Sequence, residues 1–192
     1  GQYLPACTSL ESIEFGGMMK VIPPSFCYNC TSLQSLTFPD NTSDIRELAF
    51  GGCSSLSSVA FGRNVGSIGD DAFTMCTALQ KVEFTKNASN LTAIGAGAFS
   101  GCVQLASFSV PEPTVLTVIG ANAFSGCSSL MSLSLPSSLV TIANAAFYGA
   151  TFLPTLVVPD SVQFIGVEAF YGCQSLSSVY VGSSVTSIDD GA

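Results

Sequence analysis

The side chains able to do chemistry in this chain are eight cysteines and thirteen carboxylates, with no histidine anywhere. Without His, the commonest general base and neutral metal ligand is missing. No Ser–His–Asp or Cys–His nucleophile can be assembled. Cys27 and Cys30 form a C-x-x-C pair, a spacing used in zinc and redox sites. A four-ligand zinc site needs a second pair or histidines, and neither accompanies it. Asp70-Asp71 and Asp189-Asp190 are adjacent acid pairs. Calcium takes six to eight oxygen ligands, and no further ligands are spaced around either pair. The sequence therefore implies no catalytic residue, no metal and no cofactor.

The positions of the cysteines lead to the elements that carry them. Seven of the eight (Cys7, Cys30, Cys53, Cys76, Cys102, Cys127 and Cys173) lie three residues before a leucine. That leucine recurs as Leu10, Leu33, Leu56, Leu79, Leu105, Leu130, Leu153 and Leu176, in steps of 23, 23, 23, 26, 25, 23 and 23 residues. A fixed period of this length marks a solenoid, in which each repeat is buried by its neighbours. Successive rungs then stack about 4.8 Å apart, and the thiols form a column. Ala150 fills the eighth place, so the slot takes a small apolar residue. Buried free thiols are expected there, with a disulfide ladder as the alternative. Cys27 stands outside the column and reads as a one-residue expansion between Phe26 and Cys30. Glu14 and Glu83 share a column three rungs apart, roughly 14 Å at about 4.8 Å per rung. That exceeds the about 5–9.5 Å separation of glycosidase carboxylates.

Each rung opens on an apolar alternation such as Leu33-Gln-Ser-Leu-Thr-Phe38 or Leu56-Ser-Ser-Val-Ala-Phe61. This is the L-x-x-L-x-L signature of a leucine-rich repeat, whose apolar positions point inward from a short parallel strand. Gly or Pro follows seven of the eight strands, and Thr85 follows the other; both residue types end a ladder at a turn. An extended half closes on an Ile column running from Ile22 to Ile188. A short helical or 3₁₀ turn is expected next, carrying Phe26, Phe50, Phe73, Phe99, Phe124, Phe147 and Phe170. The Asp pairs would be its N-cap and first-turn acids. The expected fold is thus α/β: a leucine-rich repeat solenoid of about eight rungs of 23–26 residues, with a parallel β-sheet on the concave face and short helical or 3₁₀ turns and extended segments on the other sides. Residues 1–192 read as a single repeat domain cut in mid-repeat at both ends, a segment of a longer protein.

The run Ile68-Gly-Asp-Asp-Ala-Phe-Thr-Met-Cys-Thr-Ala-Leu-Gln-Lys-Val-Glu-Phe84 resembles the BspA-type leucine-rich repeat, and the resemblance covers essentially the whole chain. It implies a surface or secreted protein with a non-enzymatic role in adhesion or ligand recognition. Structural scaffolding within a larger assembly is the alternative. Departures are Ala150 at the Cys position, Leu4 at the Phe position, and insertions around Lys86–Asn90 and Glu112–Pro113.

Composition narrows the partners. The five basic residues, Lys20, Arg46, Arg63, Lys81 and Lys86, all precede residue 87, and the net charge is −8. Nucleic acid and anionic membrane both call for Lys or Arg against phosphates, so a protein partner is expected. Apolar runs are too interrupted to insert into a membrane. Sequons at Asn41, Asn87 and Asn90 are candidate N-glycosylation sites and fit an extracellular or cell-surface location. A fourth, at Asn29, lies beside the buried column and reads as a poor acceptor. The exposed strand columns are mostly Ser and Thr. Interfaces draw energy from aromatic and charged anchors, so the candidate binding residues of the concave face are Glu11, Glu14, Lys81, Glu83 and Tyr180.

Overall fold

The computed structural model describes residue 4 and residues 6–85 and 90–192. Each rung contributes two extended sides joined by turns. Two-residue strands at Val21–Ile22, Asp44–Ile45, Ser67–Ile68, Ala93–Ile94, Val118–Ile119, Thr141–Ile142, Phe164–Ile165 and Ser187–Ile188 form one eight-stranded parallel sheet in sequence order. Every Ile pairs with the Ile of the next rung. The first seven are buried and Ile188 is exposed.

The Leu-x-x-Leu-x-Leu side departs from the single sheet expected of it. Ser35–Thr37, Ser58–Phe61 and Lys81–Phe84 make one parallel sheet, Ser107–Ser109 pairs with Ser132–Ser134, and Thr155–Val157 pairs with Ser178–Tyr180. In unbroken stretches the amide after the first Leu donates one rung back, as from Gln34 to Glu11 O, Ser57 to Gln34 O, and Met131 to Ala106 O. Pro154 occupies that position between the last two sheets and has no N–H to give. The other break falls at the 26-residue rung between Leu79 and Leu105.

Two columns of aromatic rings fill the interior. Phe50, Phe73, Phe99, Phe124, Phe147 and Phe170 stack with centroids 5.2–5.5 Å apart and planes within 12°. Phe15, Phe38, Phe61 and Phe84 form a second stack at 5.0–5.5 Å. Phe108 then enters two positions earlier in its rung and meets Phe124 at 4.7 Å. Each fully buried Phe contributes about 1.5–3 kcal/mol by leaving water.

Cys27 belongs to the first of these columns, and its rung holds no expansion. Ile22 to Cys30 spans the same eight residues as Ile45 to Cys53. The Cys27 amide donates to Ala49 O just as that of Phe50 donates to Ala72 O. The thiol therefore takes the Phe slot, fully buried, while Phe26 moves to the slot filled elsewhere by Ala49 or Ala72. From there its half-buried ring lies 6.2 Å from Phe50.

The described residues contain no helix, which corrects the α/β assignment and the helical turns. The turn amides are committed to the next rung: Leu48 donates to Asp70 O, Phe50 to Ala72 O and Gly52 to Thr74 O, at 2.8–2.9 Å. A helix would need those amides for carbonyls of its own chain segment. The aim is achieved by left-handed backbone at two positions per turn. The first is occupied by Ser25, Leu48, Asp71, Gly97, Asn122, Ala145, Glu168 and Gly191, the second by Ala6, Asn29, Gly52, Met75, Gly101, Gly126, Gly149 and Gly172. Asp71 at φ 52° is accordingly no first-turn helical acid. On the Ile side the donors run the other way, from Arg46 back to Ile22 O and from Gly69 back to Ile45 O.

Side chains staple the rungs at their turns. Asp40 accepts from the Arg63 amide at 3.1 Å, Asp70 from Ala96 at 2.8 Å, and Asn144 from Val167 at 3.1 Å. Glu112 accepts from the Ser137 amide at 2.8 Å and from its hydroxyl at 3.0 Å. Asp160 accepts from the Ser183 amide at 2.8 Å and from the Tyr180 hydroxyl at 3.1 Å. These bonds to the charged form, the next-rung amide first, hold both carboxyls below their ordinary values.

Two predictions follow from this packing. Phe99→Ala removes a ring stacked on both sides and costs about 3–5 kcal/mol, read from urea unfolding. The Glu112 staple stabilises the fold above the ordinary carboxyl value of 4.5 and is lost as pH falls from there through the depressed folded value. Thermal melts of Glu112→Gln should therefore lie below the parent at neutral pH and converge with it in acid.

Candidate interaction surface

The columns projecting from the Leu-x-x-Leu-x-Leu side carry the residues singled out by type. Register aligns Ser58 with Lys81 and Ala60 with Glu83, so these two charges lie two residues apart on the same exposed strand. Lys81 Nζ lies 2.9 Å from Glu83 Oε1. Glu11 and Glu14 are exposed on the first rung, three rungs away. Tyr180 is exposed four rungs beyond Lys81, roughly 19 Å at about 4.8 Å per rung, in the column that also exposes Val157. The structure therefore unites Lys81 with Glu83 and leaves Glu11, Glu14 and Tyr180 apart from them.

Tyr180 has a partner that its type alone did not disclose. Its hydroxyl donates to Asp160, and that hydrogen bond, with the carboxylate's charge second, raises the phenol's pKa. Asp160 bonds the Ser183 amide with the same oxygen, so the ring is held against the turn of the preceding rung. Residue types on the strand columns also gave no cause to look at Met131, Phe152, Tyr148 and Tyr171, all exposed. They occupy turn and corner columns that hold mostly small or polar residues in earlier rungs, Tyr28 excepted, and that contrast was the available signal.

The cysteines are occupied structurally. All eight are free thiols, and six of them reach a carbonyl in the preceding rung. Cys53 Sγ donates to Cys27 O, Cys76 to Phe50 O, Cys102 to Phe73 O and Cys127 to Phe99 O, at 3.2–3.3 Å. Cys30 and Cys173 do the same toward Leu4 O and Phe147 O. Burial pushes the Cys53 and Cys127 thiols up to about 12 and Cys76 and Cys102 well above the ordinary thiol value. Cys27 and Cys30 are raised by the same burial. The thiolate is the nucleophile and the metal ligand, so these sulfurs are inert packing groups at neutral pH. Among the described residues no three Cys, Asp or Glu side chains converge as a metal ion would need.

The sequons differ in what their amides do. Asn41 is exposed and its Nδ2 donates to Gly17 O at 2.7 Å. Asn90 is exposed and donates to Asn64 Oδ1 at 3.1 Å. Asn87 lies outside the described residues. Asn29 is exposed at φ 58°, beside buried Cys30. No helix among the described residues is long and apolar enough to cross a membrane.

Comparison with known proteins follows this geometry closely. The profile of the BspA type leucine rich repeat region matches in six copies, over residues 2–115 and 86–192. Among solved structures, a leucine-rich repeat protein from Bacteroides ovatus superposes with a TM-score of 0.72 at 28% identity, covering 86% of this chain and 42% of its own. A leucine rich repeat protein from T. pallidum gives a TM-score of 0.70 at 32% identity, covering 76% of this chain and 68% of that one. A leucine rich cell surface protein from Faecalibacterium prausnitzii gives 0.57 at 28% identity, covering 80% and 48%. The chain thus spans under half the length of two of these relatives. No curated protein matches significantly. A repeat profile matched along nearly the whole sequence, on a parallel solenoid whose Ile, Phe, Cys and Leu columns are all in register, places this chain in the BspA-type leucine-rich repeat family.

Proposed function

We propose that this chain is a non-enzymatic protein-binding module of a cell-surface or secreted protein, acting in adhesion or ligand recognition. The observation that carries this reading is the separation between interior and exterior. The buried thiols are consumed in packing, and the carboxylates Asp40, Asp70, Glu112 and Asp160 in rung-to-rung bonds. What faces solvent on the strand side is a hydroxyl-rich sheet bearing Lys81 with Glu83, Glu11, Glu14, and Tyr180 beside Val157. Solenoids use such extended surfaces for partners. Family membership and the surface protein of Faecalibacterium prausnitzii support an extracellular setting. In that setting Asn41, Asn87 and Asn90 are acceptors for N-linked glycan where the host machinery exists. Residues 1–192 act as one stretch of repeats within a longer protein.

The test is binding of solubilised extracellular-matrix proteins to the immobilised chain. Alanine at Lys81, Glu83 and Tyr180 together should weaken the retained partner by about tenfold or more, as loss of an aromatic or charged anchor does. If every partner is retained undiminished, the strand side is not the binding surface.

A further inference from the structure

Four exposed side chains on the C-terminal rungs serve no packing need that the fold imposes. Phe152 is 60% exposed, Met131 59%, Tyr171 53% and Tyr148 39%. Phe152 stands one residue before its repeat Leu, where other rungs have Ser32, Ser55 and Ser129. Met131 stands one residue after its Leu, where others have Gln34, Ser57 and Gln80. Tyr148 and Tyr171 follow the stacked Phe, where Gly51, Thr74, Ser100 and Ser125 stand in the middle rungs and Tyr28 follows Cys27 in the first of the column. The middle rungs are satisfied by small residues there, and the Phe152 and Met131 columns hold small or polar residues in the rungs named, so the solenoid does not call for bulky apolar groups at these positions.

These residues are also ordered relative to one another. Tyr148 and Tyr171 stack at 5.3 Å with planes 16° apart. Tyr148 and Phe152 flank a single corner of one rung, and the Phe152 amide bonds Ser128 O on the rung that carries Met131. The stacked tyrosines lie on the turn, Tyr148 four residues before Phe152 on the same rung, at the corner where the turn meets the strand side. Tyr, Phe and Met without charge is the composition of an interface centre, and exposed apolar patches of this kind mark protein contacts.

Charge indicates what would cover this corner. Beyond residue 86 there is no Lys or Arg, and the charged side chains are Glu112, Asp160, Glu168, Asp189 and Asp190. Glu168 is exposed in the turn that carries Tyr171, whose amide donates to its carbonyl at 3.1 Å. An apolar corner with Glu168 in its turn, on rungs that carry no Lys or Arg, fits a partner whose apolar face is flanked by cations. A second copy of the same corner would bring acids against acids.

We propose that the corner bearing Met131, Tyr148, Phe152 and Tyr171 docks an apolar segment of a protein partner flanked by Lys or Arg. The proposal rests on the protein-binding reading and gives it a second surface, with the partner's chemistry.

The probe is a synthetic amphipathic Leu/Lys peptide, titrated calorimetrically beside its Leu/Glu counterpart. The Leu/Lys peptide should bind saturably and more weakly as salt rises, and the Leu/Glu peptide should not bind. Tyr148→Ser, Phe152→Ser and Tyr171→Thr combined should weaken the Leu/Lys peptide by about tenfold or more. Each replacement brings in a small hydroxyl residue of the kind these columns hold elsewhere, and an unchanged melting curve checks the fold. Glu168→Gln, outside the apolar set, should weaken it in a salt-dependent way. Equal binding of both peptides, failure of the Leu/Lys peptide to bind, or undiminished binding by the triple variant overturns the proposal. Alanine at Lys81, Glu83 and Tyr180 should leave the peptide unaffected. Loss of matrix partners in that variant with no peptide binding sinks the corner alone, whereas peptide binding with no strand-side dependence sinks the strand-side reading alone.

Discussion

Backbone hydrogen bonds between rungs set the terms for everything else in this molecule. On the Ile side, the Leu-x-x-Leu-x-Leu side and at alternate positions of the turns, amides reach a neighbouring rung, while the turn amides between them close i to i−3 bonds such as Ala49 to Arg46 O. Register is thereby fixed at one repeat per turn, and identical side chains are brought into columns about 4.8 Å apart. Phe on Phe, Ile on Ile and thiol against carbonyl are consequences of that register. Among the described residues the backbone in turn accepts nine non-glycine residues in left-handed conformation, each disfavoured by about 1–2 kcal/mol in isolation. The stack offsets that cost by giving the turn amides partners that an isolated rung could not supply.

This explains which parts of the structure were legible in the sequence. The Leu, Ile and Phe columns were plain because burial needs one residue type at one spacing. The turn was not, because Ile-Gly-x-x-Ala-Phe puts its apolar residues inward equally well from a helical turn or from alternating right- and left-handed backbone. Leu48 and Glu168 give no sign of a positive φ. Cys27 misled because the neighbouring Phe26 suggested an inserted residue, whereas hydrogen-bond register shows an exchange of slots. Pro154 could have announced its break in the sheet, since a missing donor is visible in sequence once the donating column is known. Tyr180 was found by type alone, but its bond to Asp160 needed coordinates. Met131 and Phe152 escaped notice because they lie beside the strand columns and not on them.

Burial also decides how the reactive inventory is to be understood. A chain with eight thiols seems chemically rich, yet desolvation suppresses the thiolate at most of them and a neighbouring carbonyl receives the S–H. Asp40, Asp70, Glu112 and Asp160 are likewise engaged, each bonding an amide of the next rung. On the surface, variation among otherwise equivalent columns is the information that distinguishes one rung from another. Repetition makes that variation conspicuous: any bulky side chain in a column of serines is present for a reason outside the fold.

The turn ladder has one more consequence. At alternate positions its amides point toward the C-terminal neighbour, as from Leu48 to Asp70 O and from Phe50 to Ala72 O. Each rung therefore presents turn donors on its C-terminal face and turn acceptors on its N-terminal face, and a head-to-tail neighbour meets one set with the other. The Ile strands differ, since a parallel pair exchanges donors in both directions. The turn side of the solenoid is in this sense a polar track, along which successive rungs share a single orientation.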